Sequence, residues 1–191
     1  NIYKLKFDYT SYYNAFFDIN IYFKALFQKK YIDKVNLKND KFIYFPLHVN
    51  PEASTMVETP YLTNQLEIIE AISKSIPSNY LLYVKEHLPQ LGQRTNHFYK
   101  KIKMFPNVKL IDPFTNPKTI LSNVSLVITI NGTVGLESIF LNKPCVVLSD
   151  ADYTAIGEGY VYNQDIKNLS YSIKEAMNLR KTKTVSVLYY L

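Results

Sequence analysis

Short apolar runs alternate with helical segments through most of this chain, and this alternation constrains the fold more than any other feature. The runs lie near residues 42–47, 80–85, 107–111, 124–130 and 144–149. Between them, as in "NQLEIIEAISKSI", the apolar residues recur every three to four positions, which is the spacing of one helical face. Strands that are apolar throughout need cover on both faces, so the pattern predicts a parallel sheet with helices packed on each side.

Right-handed crossovers between such strands make the predicted fold α/β, a doubly wound, Rossmann-like parallel sheet. We expect residues 41–191 to form this domain. Residues 1–40 differ, because they carry aromatic residues at helical spacing and predict a helical extension or the remnant of an N-terminal domain. The sequence has no initiating Met, and we expect it to be a fragment of a longer protein.

Charge and cysteine usage exclude several classes of protein. The net charge is +6, but the basic residues are spread along the chain, so nucleic acid is not an expected partner. Mild basicity suits an anionic substrate or an anionic membrane surface. The longest apolar runs are too short to span a bilayer, and the lone Cys145 in "PCVVL" is typical of a buried strand in a reducing compartment. We therefore expect a cytoplasmic protein, either free or peripheral to the inner membrane.

Polar residues follow several of the predicted strands, at the edge of the sheet where such folds bind ligands. "HVNPEAST" follows the first run, and "KEHLP" follows the second. From the first we select His48 and Glu52 as a catalytic pair, facing a substrate or acting as acid and base, with Ser54 as a substrate contact. From the second, Lys85 and His87 supply positive charge for a phosphate. Both stretches are also compatible with ordinary surface turns.

The stretch "TINGTVGLE" places two of the chain's five glycines at a junction between a strand and a helix. Gly132 allows a sharp turn close to a ligand, with Asn131 beside it, and Thr133 caps the helix, whose first N–H groups suit a phosphate. Gly135 lets the helix approach the sheet or the ligand, and Glu137 can accept hydrogen bonds from a ribose. A plain turn with a threonine cap and a glutamate that offsets the helix dipole explains the same residues equally well.

No metal site and no cofactor is predicted. The stretch "DAD" at residues 150–152 offers two carboxylates, but matches of three residues are common by chance. The sequence also contains no zinc-ligand spacing, no EF-hand loop and no Ser-His-Asp order of the kind that hydrolases use.

Four stretches, taken together, resemble the capsule polysaccharide biosynthesis family: "FPLHVNPEAST", "LLYVKEH", "PNVKLIDP" and "ITINGTVGLESIFLNKPCVVL". That family contains glycosyltransferases with two Rossmann-like domains, the GT-B architecture. The resemblance covers roughly residues 42–153 and implies that this chain is the C-terminal, nucleotide-binding half. The family's "KEHP" stands here as "KEHL", with the proline one place later, whereas its "GT-x-G-x-E" pattern is matched by Gly132, Thr133, Gly135 and Glu137.

The resemblance implies a bacterial glycosyltransferase of capsular or surface polysaccharide biosynthesis. Its donor would be a nucleotide sugar, with a CMP-linked sugar favoured and Kdo as the expected sugar, and its acceptor a glycan or glycolipid. Lys85 and His87 would neutralise the leaving nucleotide, and Glu137 would hold the ribose. Two alternatives stay open: the same fold in a nucleotide-sugar epimerase or a teichoic-acid-type polyol-phosphate transferase, and a non-catalytic scaffold domain in capsule assembly.

Overall fold

The computed structural model describes residues 23–49, 62, 64–156 and 158–179. The first part of the predicted helical extension therefore lies outside the described residues. So does the segment that carries two predicted site residues, Glu52 and Ser54, and nothing is said of their structure.

The described chain contains a six-stranded sheet in the order β3-β2-β1-β4-β5-β6. The strands are β1 (Phe42–Pro46), β2 (Leu81–Lys85), β3 (Val108–Ile111), β4 (Leu126–Thr129), β5 (Cys145–Val147) and β6 (Tyr160–Tyr162). Every neighbouring pair is parallel, which confirms the predicted α/β, doubly wound, Rossmann-like sheet. All the predicted strands are present, and β6 is a further strand that the sequence pattern missed.

The helices with fully described bounds are α1 (Gln65–Ser75), α2 (Asn96–Ile102), α3 (Pro117–Asn123), α4 (Val134–Phe140) and α5 (Leu169–Asn178), and residues 23–28 are also helical. Their ends follow local chemistry. Pro117 opens α3, and the Asn116 side chain caps that helix by accepting a hydrogen bond of 2.9 Å from the N–H of Lys118. Thr95 caps α2 in the same way, by accepting from the N–H of Phe98. These side chains satisfy N–H groups that a helix leaves unpaired at its start.

The sheet is covered on both faces, as its apolar strands require. Alternate residues of β1 point to opposite sides, so that Ile43 and Phe45 join one core, and Phe42 and Tyr44 join the other. The first core is completed by α1, α2 and α5, and the second by α3 and α4. None of the helices in the described part of the chain is long and apolar enough to cross a membrane.

The residues just before β1 pack directly on the sheet. A short 3₁₀ turn at Lys29–Tyr31 buries Tyr31, whose ring stacks on Tyr99 of α2 with centroids 5.8 Å apart. The N–H of Asp33 donates to the carbonyl of Leu110 over 2.8 Å, and the N–H of Leu110 donates to the Asp33 carboxylate. This segment therefore covers the exposed edge of β3, where unpaired backbone groups would otherwise face solvent.

Candidate functional site

The sheet has a topological switch point between β1 and β4, where the strand order changes direction. In folds of this kind the ligand crevice opens beyond the carboxyl ends of the strands at that point. A cleft of about 750 Å³ lies there. It is lined by residues 46–49, 87, 131–134 and 149–152, which follow β1, β2, β4 and β5. The strand-end rule used on the sequence thus leads to a cleft of the described structure.

His48 lies at the base of the cleft and is only 9% exposed. Its N–H donates to the side-chain oxygen of Gln65 over 2.9 Å, and its carbonyl accepts from Gln65 Nε2 at 3.0 Å and from Arg94 Nη2 at 2.5 Å. Burial, with smaller contributions from His87 and Arg94, lowers the pKa of His48 to about 4. The imidazole is therefore neutral near neutral pH and brings no positive charge to the cleft.

Thr129 links His48 to the turn after β4. Its buried hydroxyl oxygen lies 3.3 Å from His48 Nε2 and accepts a hydrogen bond of 3.1 Å from the N–H of Gly132. A Cβ at Gly132 would lie 3.0 Å from His48 Cε1 and 3.1 Å from the Thr129 hydroxyl. Sequence reasoning missed Thr129, although a polar residue that ends the apolar run "LVIT" was a usable signal.

The predicted threonine cap in this turn needs correction, and the structure adds a reason for the glycine. Gly132 is not among the residues with positive φ, and what the absence of a Cβ permits is the close approach of the His48 ring. Thr133 stands at the start of α4, but its side chain makes no capping hydrogen bond. The N–H of Gly135 finds a backbone acceptor in this turn, because it donates to the Gly132 carbonyl. The N–H groups of Thr133 and Val134 have no acceptor within the part of the chain that the structure describes.

Gly135 lies against Tyr153 and does not line the cleft. A Cβ at this position would be 2.2 Å from the Tyr153 hydroxyl oxygen and 2.7 Å from Cζ. Tyr153 is buried, and its hydroxyl has no hydrogen-bond partner among the described atoms. It belongs to the 3₁₀ segment Asp152–Ile156, which directly follows cleft-lining residues. Gly135 therefore positions one wall of the cleft through Tyr153.

The three residues of "KEH" at the end of β2 have three different environments. Lys85 is half-buried and does not line the cleft; burial lowers its pKa, and the nearby Asp112 opposes that shift. His87 is exposed and lines the cleft. Glu86, which was not selected from the sequence, is only 2% exposed.

Glu86 is the acceptor at the centre of a buried hydrogen-bond network. One carboxylate oxygen accepts from Arg94 Nε and from the Tyr99 hydroxyl, each over 2.8 Å. The other accepts from the N–H of His87 over 2.9 Å. Because Arg94 also donates to the carbonyl of His48, this network connects the loop after β1 with the loop after β2.

The remaining predictions divide between the cleft and its surroundings. The described site residues that line the cleft are His48, His87, Asn131, Gly132 and Thr133, and those that do not are Lys85, Gly135 and Glu137. Glu137 is exposed in the first turn of α4. Asp150 and Asp152 line the cleft opposite the histidines, and no group of three or more His, Cys, Asp or Glu side chains in the described ranges could hold a metal ion.

The switch-point sheet and its cleft define a doubly wound, Rossmann-like domain. The family model described as "Capsule polysaccharide biosynthesis protein" matches residues 5–184 of this chain. The chain therefore belongs to the capsule polysaccharide biosynthesis family, as its sequence resemblance implied.

Solved structures share the fold at low sequence identity. KpsC of Thermosulfurimonas dismutans, a beta Kdo 2,7 transferase, has a TM-score of 0.52 and 20% identity, over 83% of this chain and 48% of that chain. The UDP-GlcNAc 2-epimerase of Methanocaldococcus jannaschii in complex with UDP-GlcNAc and UDP has a TM-score of 0.57 and 20% identity, over 84% and 43%. Anabaena Alr3699/HepE in complex with UDP-glucose has a TM-score of 0.55 and 13% identity, over 84% of this chain and 44% of that chain. At these identities the likeness shows the fold alone.

One curated relative, Protein FixF of Sinorhizobium fredii, is 25% identical over 119 residues. That match covers 59% of this chain and 27% of FixF. The chain thus spans about a quarter of FixF and less than half of each of these structures.

Proposed function

We propose that this chain is the nucleotide-sugar-binding half of a glycosyltransferase that builds capsular or other surface polysaccharide. The observation that carries the proposal is the cleft at the switch point, in a chain that belongs to the capsule family. Its volume of about 750 Å³ lies within the range of pockets that enclose small organic ligands, about 300–1,000 Å³.

The residues that line the cleft suit the two ends of a nucleotide sugar. The phosphate would lie by the N–H groups of Thr133 and Val134 and by the exposed His87, where hydrogen-bond donors are available to the charge of the leaving nucleotide. The sugar would lie towards Asp150 and Asp152, because carboxylates accept hydrogen bonds from hydroxyl groups and repel phosphate. Neutral His48 would contact the reacting end of the ligand.

The roles predicted for the other site residues remain part of the proposal, and the support for each differs. Lys85 contributes less than His87, since it is half-buried and outside the cleft lining. Glu137 remains the proposed ribose contact from the exposed first turn of α4. The roles of Glu52 and Ser54 rest on the sequence alone.

We further propose a CMP-linked donor that carries Kdo. The support is the family to which the chain belongs and the shared fold with KpsC, a beta Kdo 2,7 transferase. Because the chain spans less than half of that structure, a second domain would supply the binding site for a glycan or glycolipid acceptor, and a glycolipid would bring the enzyme to the inner membrane surface. The isolated chain would then bind nucleotide and transfer little or no sugar.

A nucleotide-sugar epimerase is the second candidate. The structure of the Methanocaldococcus jannaschii epimerase with UDP-GlcNAc and UDP has a somewhat higher TM-score than KpsC, 0.57 against 0.52. That difference concerns the fold, whereas the family match concerns the sequence over most of the chain, so we favour the transferase.

Titration of the chain with CMP, UDP and CDP-glycerol, by calorimetry and thermal shift, tests the proposal. We expect CMP to bind most tightly and His87→Ala to weaken binding. His97→Ala is the matched control, because His97 lies in α2 and does not line the cleft. A preference for UDP would favour the epimerase, a preference for CDP-glycerol would favour polyol-phosphate transfer, and no binding of any nucleotide would favour a scaffold.

A further inference from the structure

The two histidines of the cleft are held by hydrogen bonds to their main chains, and the His48 ring also lies 3.3 Å from the Thr129 hydroxyl. The carbonyl of His48 accepts from Arg94 Nη2 at 2.5 Å, and the N–H of His87 donates to Glu86 at 2.9 Å. The ion pair between Arg94 Nε and Glu86, at 2.8 Å, closes the connection. One buried pair of side chains therefore joins the loops that carry both imidazoles.

This pair is almost entirely removed from solvent, with side-chain exposures of 9% for Arg94 and 1% for Glu86. Relative to an apolar pair of similar volume, a buried ion pair contributes little net stability, because desolvation offsets the attraction between the charges. An apolar pair could not, however, donate to one loop and accept from the other. The observed bonds therefore indicate that this pair contributes the relative positions of the two loops.

We propose that Glu86 and Arg94 are positioning residues that hold His48 and His87 in one fixed arrangement across the cleft. Their effect on nucleotide binding rests on the proposed function, whereas their effect on the imidazoles does not. Neither residue lines the cleft, so both act through the histidines. Gln65 assists at one end, since its amide bonds to both the N–H and the carbonyl of His48.

The geometry of Arg94 is specific to a guanidinium. Two of its nitrogens serve different partners, Nε the Glu86 carboxylate and Nη2 the His48 carbonyl. A lysine ammonium is a compact donor on a flexible stem and cannot reproduce this fixed fork, although it keeps the positive charge. Arg94→Lys therefore separates the bridging role from simple charge neutralisation.

The test uses ¹H–¹³C NMR of the histidine side chains, assigned by single His→Gln variants, together with nucleotide titration. In Arg94→Lys we expect the His48 and His87 resonances to shift and nucleotide to bind about tenfold more weakly, since small misplacements in a binding site are costly. Lys103→Met is the control: it breaks an ion pair with Asp33 beside the β3 edge, and we expect it to change neither measurement.

A second variant guards against a loss of folding. Glu86→Leu/Arg94→Met/Tyr99→Phe removes the buried charges together with the Tyr99 hydroxyl that would lose its acceptor, so no buried ion is left unpaired. We expect this chain to fold, with the same changes in both histidine resonances. Unchanged resonances in the folded triple variant would overturn the positioning role. If the parent chain bound no nucleotide, the proposed function would fail while the NMR comparison still decided the role of Glu86 and Arg94.

Discussion

The two walls of the cleft are held in place by different forces. The histidine wall, made of His48 and His87 after β1 and β2, is fixed by hydrogen bonds from buried side chains. The loop wall, made of residues 131–134 and 149–152 after β4 and β5, is fixed by close packing of Gly135 on Tyr153. The first wall therefore depends on charge and hydrogen-bond geometry, and the second depends on volume.

This difference predicts how each wall responds to substitution. On the histidine wall, removing one partner leaves a buried polar group without its bond, and the loss is large even when little volume changes. On the loop wall, one added methyl group is enough to lower the stability, because the interior is already closely packed. Thr129 stands between the two walls, since its hydroxyl is near His48 Nε2 and accepts from Gly132.

The largest effect is expected for Glu86→Ala on the histidine wall. This change leaves Arg94 buried with no carboxylate beside it, and breaking such a pair costs about 3–5 kcal/mol. Urea denaturation followed by circular dichroism gives the free energy of unfolding. Glu70→Ala is the control, because Glu70 pairs with Lys74 on the surface of α1 and exposed pairs contribute about 0.3–0.5 kcal/mol. Equal losses of unfolding free energy in Glu86→Ala and Glu70→Ala would contradict the greater importance of the buried pair.

The next effect is a dependence of stability on pH that His48 imposes. Burial lowers its pKa from 6.5 to about 4 in the folded chain, so the unfolded chain takes up the proton first as the pH falls. The stability from the neutral imidazole is thus fully present above about pH 6.5 and is lost as the pH falls towards about 4. One such group contributes a slope of at most about 1.4 kcal/mol per pH unit within that window.

Denaturation of the parent and of His48→Gln between pH 4 and 7 isolates this slope, since other groups titrate in both chains. We expect the difference in unfolding free energy between the two chains to change with pH in this window. A difference that stays constant across this window would show that the buried imidazole of His48 is not the cause.

On the loop wall, Gly135→Ala should destabilise the chain by about 1–3 kcal/mol, the usual cost of overpacking. The added Cβ would collide with the Tyr153 hydroxyl and Cζ. Tyr153→Leu removes both atoms, so Gly135→Ala should cost much less in that background, and a double-mutant cycle on unfolding free energies measures the coupling. Strictly additive losses would show that Tyr153 is not the obstacle.

Much of the fold could be predicted from the sequence, but less of the site. The first five strands were visible because each is a mainly apolar run, whereas β6 was missed because it is a three-residue edge strand with only its middle residue buried. Glu86 was visible in principle, since it follows Leu82 and Val84 at the two-residue period of a buried strand face. Its partner Arg94 was not, because nothing local shows which distant residue will meet it. The same holds for Tyr153, whose contact with Gly135 exists only once the chain has folded.

The smallest expected effect on stability belongs to Gly132→Ala, at the place where the two walls meet. The added Cβ would lie 3.0 Å from His48 Cε1 and 3.1 Å from the Thr129 hydroxyl, so a neighbour must move by a few tenths of an ångström. Because Gly132 does not have a positive φ, no backbone strain is added, and we expect a loss of about 1 kcal/mol, at the low end of overpacking. Nucleotide binding should fall more than stability, since the shift displaces a cleft residue. The informative background is His48→Ala, which removes the nearest contact: there Gly132→Ala should cost less in unfolding free energy, with only the contact to the Thr129 hydroxyl remaining. If its cost were the same with and without the His48 ring, the two walls would not meet through this contact, and the need for glycine at this position would have to come from the bound ligand.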